Sequence, residues 1–223
     1  MNDIRVAIID YQMSNLYSVK NACDHNEIIS FITSDRKEIM DADAVILPGV
    51  GAFAEAMNNL KKLDLISPIR DFITTGRPFM GTCLGMQLLL SESEEFQYAR
   101  GLGLIKGKVT RFPKISSRGE RIKVPHIGWN SIHGVMRRRG WDKSALRSVR
   151  ESEYMYFVHS YYVVPENESD ILTTTTYSGI EFCSSIAREN IFATQFHPEK
   201  SSREGMKIYR EWLSDIRDKK RRT

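Results

Sequence analysis

The sequence predicts an α/β fold with an open, mostly parallel sheet, flanked by helices and carrying β-rich antiparallel insertions. Short apolar runs alternate with amphipathic stretches through residues 1–100, which is the β-α-β-α pattern of a parallel sheet. Residues 101–176 are rich in Thr, Tyr, Val and Gly and contain few helical patterns, which favours short antiparallel strands. The chain then returns to an apolar strand and an amphipathic helix.

The predicted parallel strands are short aliphatic runs, as expected for strands covered on both faces. They occupy residues 6–9, 28–33, 44–47, 79–81 and 191–196. The predicted helices follow them: one capped by Ser14, then residues 54–63, 68–75 and 84–90, and a closing helix over 203–218.

Length and composition fit a single domain over residues 1–223, with a core over about 4–215 and a basic tail over 216–223. The chain is 41% hydrophobic and its net charge is only +4, so a largely disordered chain is excluded. The small, scattered positive excess gives no indication of a nucleic-acid partner. Apolar runs never reach the roughly 18 residues of a membrane span, so no membrane partner is expected either.

Cysteine and histidine usage predicts neither a disulfide framework nor a metal site. Three widely spaced cysteines, Cys23, Cys83 and Cys183, fit a reducing compartment, and no signal peptide precedes the first strand. A cytoplasmic location is therefore the expectation. Three histidines, His126, His133 and His159, show no CxxC or HxxxH spacing with Cys83. We therefore expect no metal and no cofactor.

The sharpest local signal is the segment Gly81-Thr82-Cys83-Leu84-Gly85, between an apolar strand and a predicted helix. A nucleophile between two glycines at this position is typical of a nucleophile elbow, which presents the side chain on a strained turn. The backbone N–H of Leu84 is then placed to donate to an oxyanion. A small buried core cysteine is the alternative, and the five residues alone leave both interpretations open.

A thiol nucleophile needs a base, and His197 has the most suggestive surroundings. It ends an apolar strand and is followed two residues later by Glu199, so an extended segment puts both side chains on one side. Cys83, His197 and Glu199 then form a catalytic triad at the carboxyl ends of strands. Taken alone, the His-Pro-Glu step also fits a surface histidine beside a chance carboxylate.

The glycines of residues 48–53, directly after the third strand, give that backbone unusual freedom. A backbone N–H at Val50 or Gly51 could supply a second oxyanion donor. An ordinary strand-to-helix turn explains the same residues equally well.

Together, the segments at residues 48–53, 81–87 and 195–201 resemble the class I, or triad, glutamine amidotransferases. Two further segments, residues 125–130 and 156–161, resemble the HisH-type glutaminase subunits of imidazole glycerol phosphate synthases. The resemblance runs from about residue 4 to about residue 213. It implies that the thiolate of Cys83 attacks the side-chain amide of glutamine and that His197, oriented by Glu199, protonates the departing ammonia.

The resemblance also implies roles that spacing does not reveal. Gln87 and Glu95 are expected to contact the substrate glutamine, and Ser160 and Tyr161 to hold its carboxylate end. The expected partner is a HisF-type (β/α)8-barrel synthase in a one-to-one heterodimer, which consumes the ammonia in histidine biosynthesis. Residues implied to face it are Trp129, Asn130, Tyr156 and Lys200. Without it, an incomplete oxyanion hole at Val50–Gly51 implies weak glutaminase activity.

Two alternatives remain beside this interpretation. Related subunits supply ammonia for amidination of a surface-polysaccharide sugar, and a non-catalytic relative could only bind and regulate a partner. The chain also departs from the pattern: Gln12 and Ser14 stand where glycine is usual, which puts a glycine-only backbone angle there in doubt. Residues 134–150, with Arg137–Arg139 among them, look longer than in compact members.

Overall fold

A computed structural model describes residues 4–13, 15–116, 119–135 and 141–220. The strands, in chain order, are β1 (Arg5–Ile9), β2 (Ile29–Thr33), β3 (Ala44–Leu47), β4 (Phe79–Thr82), β5 (Leu90–Ser93), β6 (Ala99–Arg100), β7 (Ile105–Arg111), β8 (His126–Ser131), β9 (His133–Gly134), β10 (Tyr154–His159), β11 (Tyr161–Pro165), β12 (Ile171–Tyr177), β13 (Ile180–Arg188) and β14 (Ile191–Thr194). The helices are α1 (Leu16–His25), α2 (Arg36–Asp41), α3 (Phe53–Lys62), α4 (Ile66–Thr74), α5 (Leu84–Leu88) and α6 (Ser202–Lys220). Within the described ranges, no helix has the length and hydropathy needed to cross a membrane.

The main sheet contains twelve described strands. The five strands that were predicted to be parallel pair in parallel. Five strands lie in the order β2-β1-β3-β4-β14, and every pairing among them is parallel. β3, β4 and β14 are buried along their whole length. Their continuous apolar sequence therefore reflects cover on both faces, and the predicted α/β class is confirmed.

The remaining strands extend the same sheet in a mostly antiparallel manner. β14 pairs with β13, which pairs with β11 and β12, and β11 continues to β7. β5 adds the one parallel pairing there, with β7. β8 and β10 form a separate antiparallel ribbon. The predicted β-rich insertion is thus the outer half of the sheet together with this ribbon.

Alternate residues of the central strands face two different cores, because side chains alternate across a strand. Ala7 and Leu47 pack into the core that contains Phe53 of α3 and Phe72 of α4. Their neighbours on β1 and β3 pack into the other core, which contains Trp212 of α6. The sheet is therefore sandwiched, and its strand ends remain as the place for a site.

Three helices differ from the prediction, one in its existence and two in where they end. Helix α2 was not predicted, although Asp35 caps it by accepting a hydrogen bond from the Glu38 amide at 2.9 Å. α5 ends at Leu88, because residues 90–93 pair with β7 as a strand, and an apolar run alone does not separate the two states. α6 runs on to Lys220, and Ile216, at the start of the predicted tail, is buried.

The N-terminal segment overturns one expectation. Gln12 adopts a left-handed backbone with φ of 66°, so the angle that glycine favours is present without glycine. α1 begins at Leu16 with Asn15 at its N-cap position, and the predicted cap Ser14 lies outside the described residues. Arg137–Arg139 and residues 221–223 of the predicted tail also lie outside them.

The described end of the long 134–150 segment is attached to the closing helix. Leu146 is buried in the core shared with α6. The Arg147 guanidinium lies 2.5 Å from Glu211 and 2.7 Å from Asp215, both on α6. Trp141 also donates its indole N–H to the Val149 carbonyl at 3.0 Å. This part of the segment is thus an integral layer of the fold.

Candidate active site

Cys83 occupies a tight turn between β4 and α5 with φ of 52° and ψ of −108°. Its amide donates to the Thr194 carbonyl at 2.7 Å, which ties the turn to β14. The following Gly85 is sterically required, because a Cβ there would lie 1.8 Å from the Leu47 carbonyl oxygen. Strand, left-handed nucleophile position and glycine-dependent helix start are the features of a nucleophile elbow.

His197 and Glu199 are hydrogen-bonded side by side in the interior. Nδ1 of His197 lies 2.7 Å from Oε1 of Glu199, and each side chain is only 3% exposed. The sequence argument placed them on one extended segment, and this reason is wrong: β14 ends at Thr194, and a 3-10 turn (Pro198–Lys200) follows. The turn brings the carboxylate back beneath the imidazole. With Nδ1 engaged, Nε2 is the nitrogen left for Cys83.

The electrostatics of this cluster favour a charged imidazole. Burial works against the imidazolium, but interactions with Cys83 and then with Glu199 outweigh it and raise the pKa of His197 to about 10. Nε2 is buried, and no residue in the described ranges meets hydrogen-bond geometry with it. The arrangement therefore favours an imidazolium between the Cys83 sulfur and the Glu199 side chain.

Two glutamines connect the thiol to the neighbouring strand. Nε2 of Gln87, one turn after Cys83, donates to the Tyr161 carbonyl at 2.9 Å and to Oε1 of Gln195 at 3.1 Å. Nε2 of Gln195 in turn lies 3.6 Å from the Cys83 sulfur. Both side chains are buried. Gln195 was not predicted as a site residue, because a glutamine within an apolar strand leaves no mark on its periodicity.

One cavity of about 310 Å³ opens at Cys83, a size within the range of small-molecule sites. The predicted substrate residues Gln87, Glu95, Ser160 and Tyr161 all line it. So do Val50, Gly51 and Leu84, predicted for the oxyanion hole, together with Pro125, Val158 and His159. Residues from five separate segments of the chain are thus brought to one space.

Glu95 presents a carboxylate in this cavity although it is only 8% exposed. Its Oε2 accepts the Phe53 amide at 2.7 Å, at the start of α3. Burial raises the pKa of Glu95, and the Phe53 hydrogen bond opposes that rise only in part. A buried carboxylate with one donor is suited to receive a cationic group of a ligand.

Two buried histidines, His159 and behind it His126, also hold the Tyr161 carbonyl that accepts from Gln87. Nδ1 of His159 donates to this carbonyl at 2.9 Å, so its Nε2 must accept, and it lies 3.0 Å from Nδ1 of His126. Burial lowers the pKa of His126 to about 4 and that of His159 to about 3. Both rings are therefore neutral at pH 7, as this single chain of donors requires.

Two of the three predicted oxyanion donors, Val50 and Leu84, are occupied within the chain. The Val50 amide donates to the Met13 carbonyl at 3.0 Å, and the Leu84 amide to the Gly49 carbonyl at 3.3 Å. Gly51 has φ of 116°, which favours glycine. In this conformation, neither the Val50 nor the Leu84 N–H is free to donate a hydrogen bond to a negatively charged ligand oxygen.

The four residues predicted to face a partner lie around the β8–β10 ribbon. Trp129 pairs with Tyr156 across it, with ring centroids 6.0 Å apart. Trp129 is half exposed, Asn130 follows it on β8, and Lys200 is exposed in the turn after His197. Exposed Ile127 and Tyr154 extend this face and were missed, although both occupy alternate, outward positions of the ribbon.

The ribbon also contacts the triad directly. The His197 amide donates to the Tyr156 carbonyl at 3.0 Å, and the Tyr156 amide donates to the Ser201 hydroxyl at 3.0 Å. These two hydrogen bonds therefore tie β10 to the backbone of the His197 segment. Across the described ranges, no group of three or more His, Cys, Asp or Glu is arranged to hold a metal ion.

Comparison with known proteins identifies the family. The family model for "Glutamine amidotransferase class-I" matches residues 7–216. The chain belongs to the class I glutamine amidotransferase family. It is 46% identical to the imidazole glycerol phosphate synthase subunit HisH of Geobacter sulfurreducens over 92% of this chain and 95% of that protein. It is 45% identical to the HisH subunit of Aquifex aeolicus, over 92% of this chain and 94% of that one.

The fold recurs in more distant amidotransferase structures. The structure of PurLQS from Thermotoga maritima superposes with a TM-score of 0.72 at 16% identity, covering 96% of this chain and 99% of that chain. At this identity the likeness concerns the fold alone. The amidotransferase therefore has the class I architecture that its sequence predicted, and its enzyme class follows from the family.

Proposed function

We propose that this amidotransferase is the HisH-type glutaminase subunit of an imidazole glycerol phosphate synthase, and that it hydrolyses glutamine to glutamate and ammonia. The observation that carries the proposal is the juxtaposition of Cys83, a charged His197 and Glu199 beside a cavity lined by Gln87 and Glu95. The HisH relatives, 41–46% identical over at least 91% of this chain, support the assignment to histidine biosynthesis. The three cysteines of the chain, all free and buried, are in keeping with a cytoplasmic setting.

In the proposed reaction, the Cys83 thiolate attacks the side-chain amide carbon of glutamine. The carbonyl oxygen takes up the negative charge, and the C–N bond breaks as His197 donates its Nε2 proton to the departing nitrogen. Ammonia leaves, and a γ-glutamyl thioester remains on Cys83. A water molecule then gives a proton to His197 and attacks the thioester, which releases glutamate and restores the thiolate.

Substrate recognition follows from the cavity lining. The buried carboxylate of Glu95 is the proposed partner of the α-ammonium group of glutamine. Gln87 and the backbone at Ser160 and Tyr161 are proposed to hold the rest of the amino-acid end. Discrimination against other amides then depends on buried polar groups that would be left unpaired by a poor fit.

The proposed partner is a HisF-type (β/α)8-barrel synthase that docks on the face formed by Ile127, Trp129, Tyr154 and Tyr156. Large exposed aromatic residues on such a face suit a protein interface better than solvent. Lys200 supplies a polar contact at its rim, whereas the Asn130 side chain lies on the opposite face of β8 and donates to the Thr176 carbonyl at 3.0 Å. Docking there covers the strand that hydrogen-bonds to His197, so the ammonia is released next to the subunit that consumes it.

The decisive experiment compares Cys83→Ala with Cys183→Ala in the complex with a HisF-type subunit. We expect Cys83→Ala to lower glutamate formation by at least about 10⁴-fold, because the nucleophile is lost. Cys183, a buried cysteine outside the site whose pKa burial raises, serves as the matched control and keeps the wild-type rate. Turnover by Cys83→Ala within tenfold of wild type contradicts the triad.

Growth tests the pathway. In a strain without its own HisH subunit, at low ammonium and without histidine, the wild-type chain restores growth and Cys83→Ala does not. Absence of growth with soluble wild-type protein present favours the surface-polysaccharide role. The HisH relatives do not favour that role.

A further inference from the structure

Gln195 is a polar side chain placed between two elements of the candidate site, and the proposed reaction does not yet use it. It follows β14 directly and is fully buried. Its amide N–H donates to the Ser184 carbonyl at 2.9 Å, which fixes the backbone from which the side chain projects. The side chain spans the space between Gln87 and the Cys83 sulfur. A buried primary amide in this position must satisfy both its ends.

The polarity of this amide is determined by a backbone carbonyl. The Tyr161 carbonyl can only accept, so the Gln87 atom 2.9 Å from it is the nitrogen. The same nitrogen lies 3.1 Å from the Gln195 side chain, which must therefore present its oxygen to Gln87. The nitrogen of Gln195 consequently faces Cys83, with 3.6 Å between Nε2 and Sγ. His159 donates to the same Tyr161 carbonyl and so fixes the acceptor at which this series of hydrogen bonds begins.

We propose that Gln195 is a further catalytic residue, whose Nε2–H donates a hydrogen bond to the Cys83 sulfur and favours its thiolate. Its consequence for turnover rests on the proposed function. A donor to an ionised acceptor is stronger than one to a neutral acceptor, so the bond favours S⁻ over S–H. Cys83 is only 6% exposed, so little water competes for the sulfur.

The bond acts twice in the proposed reaction. Before attack it stabilises the resting thiolate beside His197. During thioester hydrolysis the C–S bond breaks and the electron pair returns to sulfur, and the same donor then assists sulfur as the leaving group. The Leu84 amide does not take this role in the present conformation, because the Gly49 carbonyl accepts its hydrogen bond.

The test measures alkylation of Cys83 by iodoacetamide in the free chain from pH 4 to pH 9, with the labelled peptide quantified by mass spectrometry. Gln195→Leu keeps a similar shape and removes the donor. We expect the midpoint of the rate–pH profile to move up by about one pH unit, with about tenfold slower labelling below the midpoint. Thr194→Val is the matched control: it removes a neighbouring buried hydroxyl that donates to the Phe196 carbonyl at 2.9 Å, and the profile stays at the wild-type position.

Gln195→Met keeps the test decisive if Gln195→Leu does not fold. The thioether is uncharged, fills a similar volume and offers the sulfur no donor, so the midpoint again moves up. A midpoint within about 0.3 pH units of wild type in either folded variant overturns the proposal. Labelling needs no glutamine and no partner. A shifted midpoint with no glutaminase activity in the wild-type complex therefore refutes the proposed function alone, whereas an unshifted midpoint with normal turnover refutes the role of Gln195 alone.

Discussion

The two sides of the catalytic cavity differ in how far they are prepared for chemistry. On one side, Cys83 stands on its elbow, His197 is charged and hydrogen-bonded to Glu199, and Gln195 faces the sulfur. On the other side, two of the amides expected to stabilise an oxyanion, those of Val50 and Leu84, donate to carbonyls of their own chain. The Val50 amide is bound to the Met13 carbonyl. The nucleophile is thus assembled in the chain by itself, while the oxyanion hole is not.

This difference separates two properties that are usually lost together in a damaged active site. Reactivity of the thiol depends on groups that are already in place. Turnover of glutamine depends in addition on donors at the developing oxyanion, which contribute about 3–4 kcal/mol each when they are in position. A chain in this conformation is therefore expected to alkylate readily and to hydrolyse glutamine slowly. A partner that rotates the Gly49–Val50 peptide, which carries the Val50 N–H, would then raise turnover without altering the thiol.

Of the predictions that test this comparison, the one with the largest effect removes the Val50 N–H. In the complex, Val50→Pro lowers the glutaminase kcat by about 10²–10³-fold, because an oxyanion donor is lost. Alkylation of Cys83 keeps its wild-type rate, because the thiol side is untouched. Val50→Ala retains the N–H and, at a half-exposed position, stays close to wild type in both assays. If Val50→Pro keeps its turnover within tenfold, the Val50 amide is not the donor, and the comparison of the two sides fails there.

A second prediction addresses the thiol side. In Cys83→Ala, the titration midpoint of His197, about 10 in the wild type, falls by at least about one unit, because the largest interaction that raises the pKa is with Cys83. Glu199→Gln also lowers the midpoint, because the carboxylate that stabilises the imidazolium is removed. Side-chain nitrogen chemical shifts followed by NMR measure all three midpoints. Cys183→Ala controls for loss of a buried thiol elsewhere, and an unchanged midpoint in Cys83→Ala contradicts the ion pair.

The same division explains what could be predicted from sequence. The elbow was predictable because Gly81, Cys83 and Gly85 report local steric needs, and the Leu47 carbonyl confirms the need at Gly85. The parallel strands were predictable because burial on both faces leaves continuous apolar runs. The orientation of the Gly49–Val50 peptide could not be predicted. Its residues allow either orientation, and a hydrogen bond to the Met13 carbonyl, distant in sequence, selects one.

Other features were missed because their cause is tertiary. Gln195 acquires its importance from Gln87 and Cys83, which are more than 100 residues away in sequence, and no periodicity marks it. The contact between His197 and Glu199 was expected, but a 3-10 turn produces it rather than an extended strand. Helix α2 did carry a local signal, because Asp35 precedes Glu38 at capping distance.

The smallest predicted effect concerns the histidine pair of the cavity. His159 holds the Tyr161 carbonyl, and His126 holds His159. The folded-state pKa values, about 4 for His126 and about 3 for His159, lie below the ordinary 6.5, so below pH 6.5 the unfolded chain binds the additional protons. The free energy of unfolding therefore falls as the pH falls, by up to about 1.4 kcal/mol per pH unit for each histidine.

Replacing one histidine of this pair measures its contribution to the pH dependence of the free energy of unfolding. His126→Gln can still donate and accept hydrogen bonds, but it does not titrate, so the slope of stability between pH 6 and pH 4.5 decreases by about 1.4 kcal/mol per pH unit. Urea unfolding at several pH values measures the slope. Exposed His25, outside the pair, provides the control His25→Gln. An equal slope in His126→Gln and wild type means that His126 is protonated in the folded chain, and the neutral relay that positions the Tyr161 carbonyl is then ruled out.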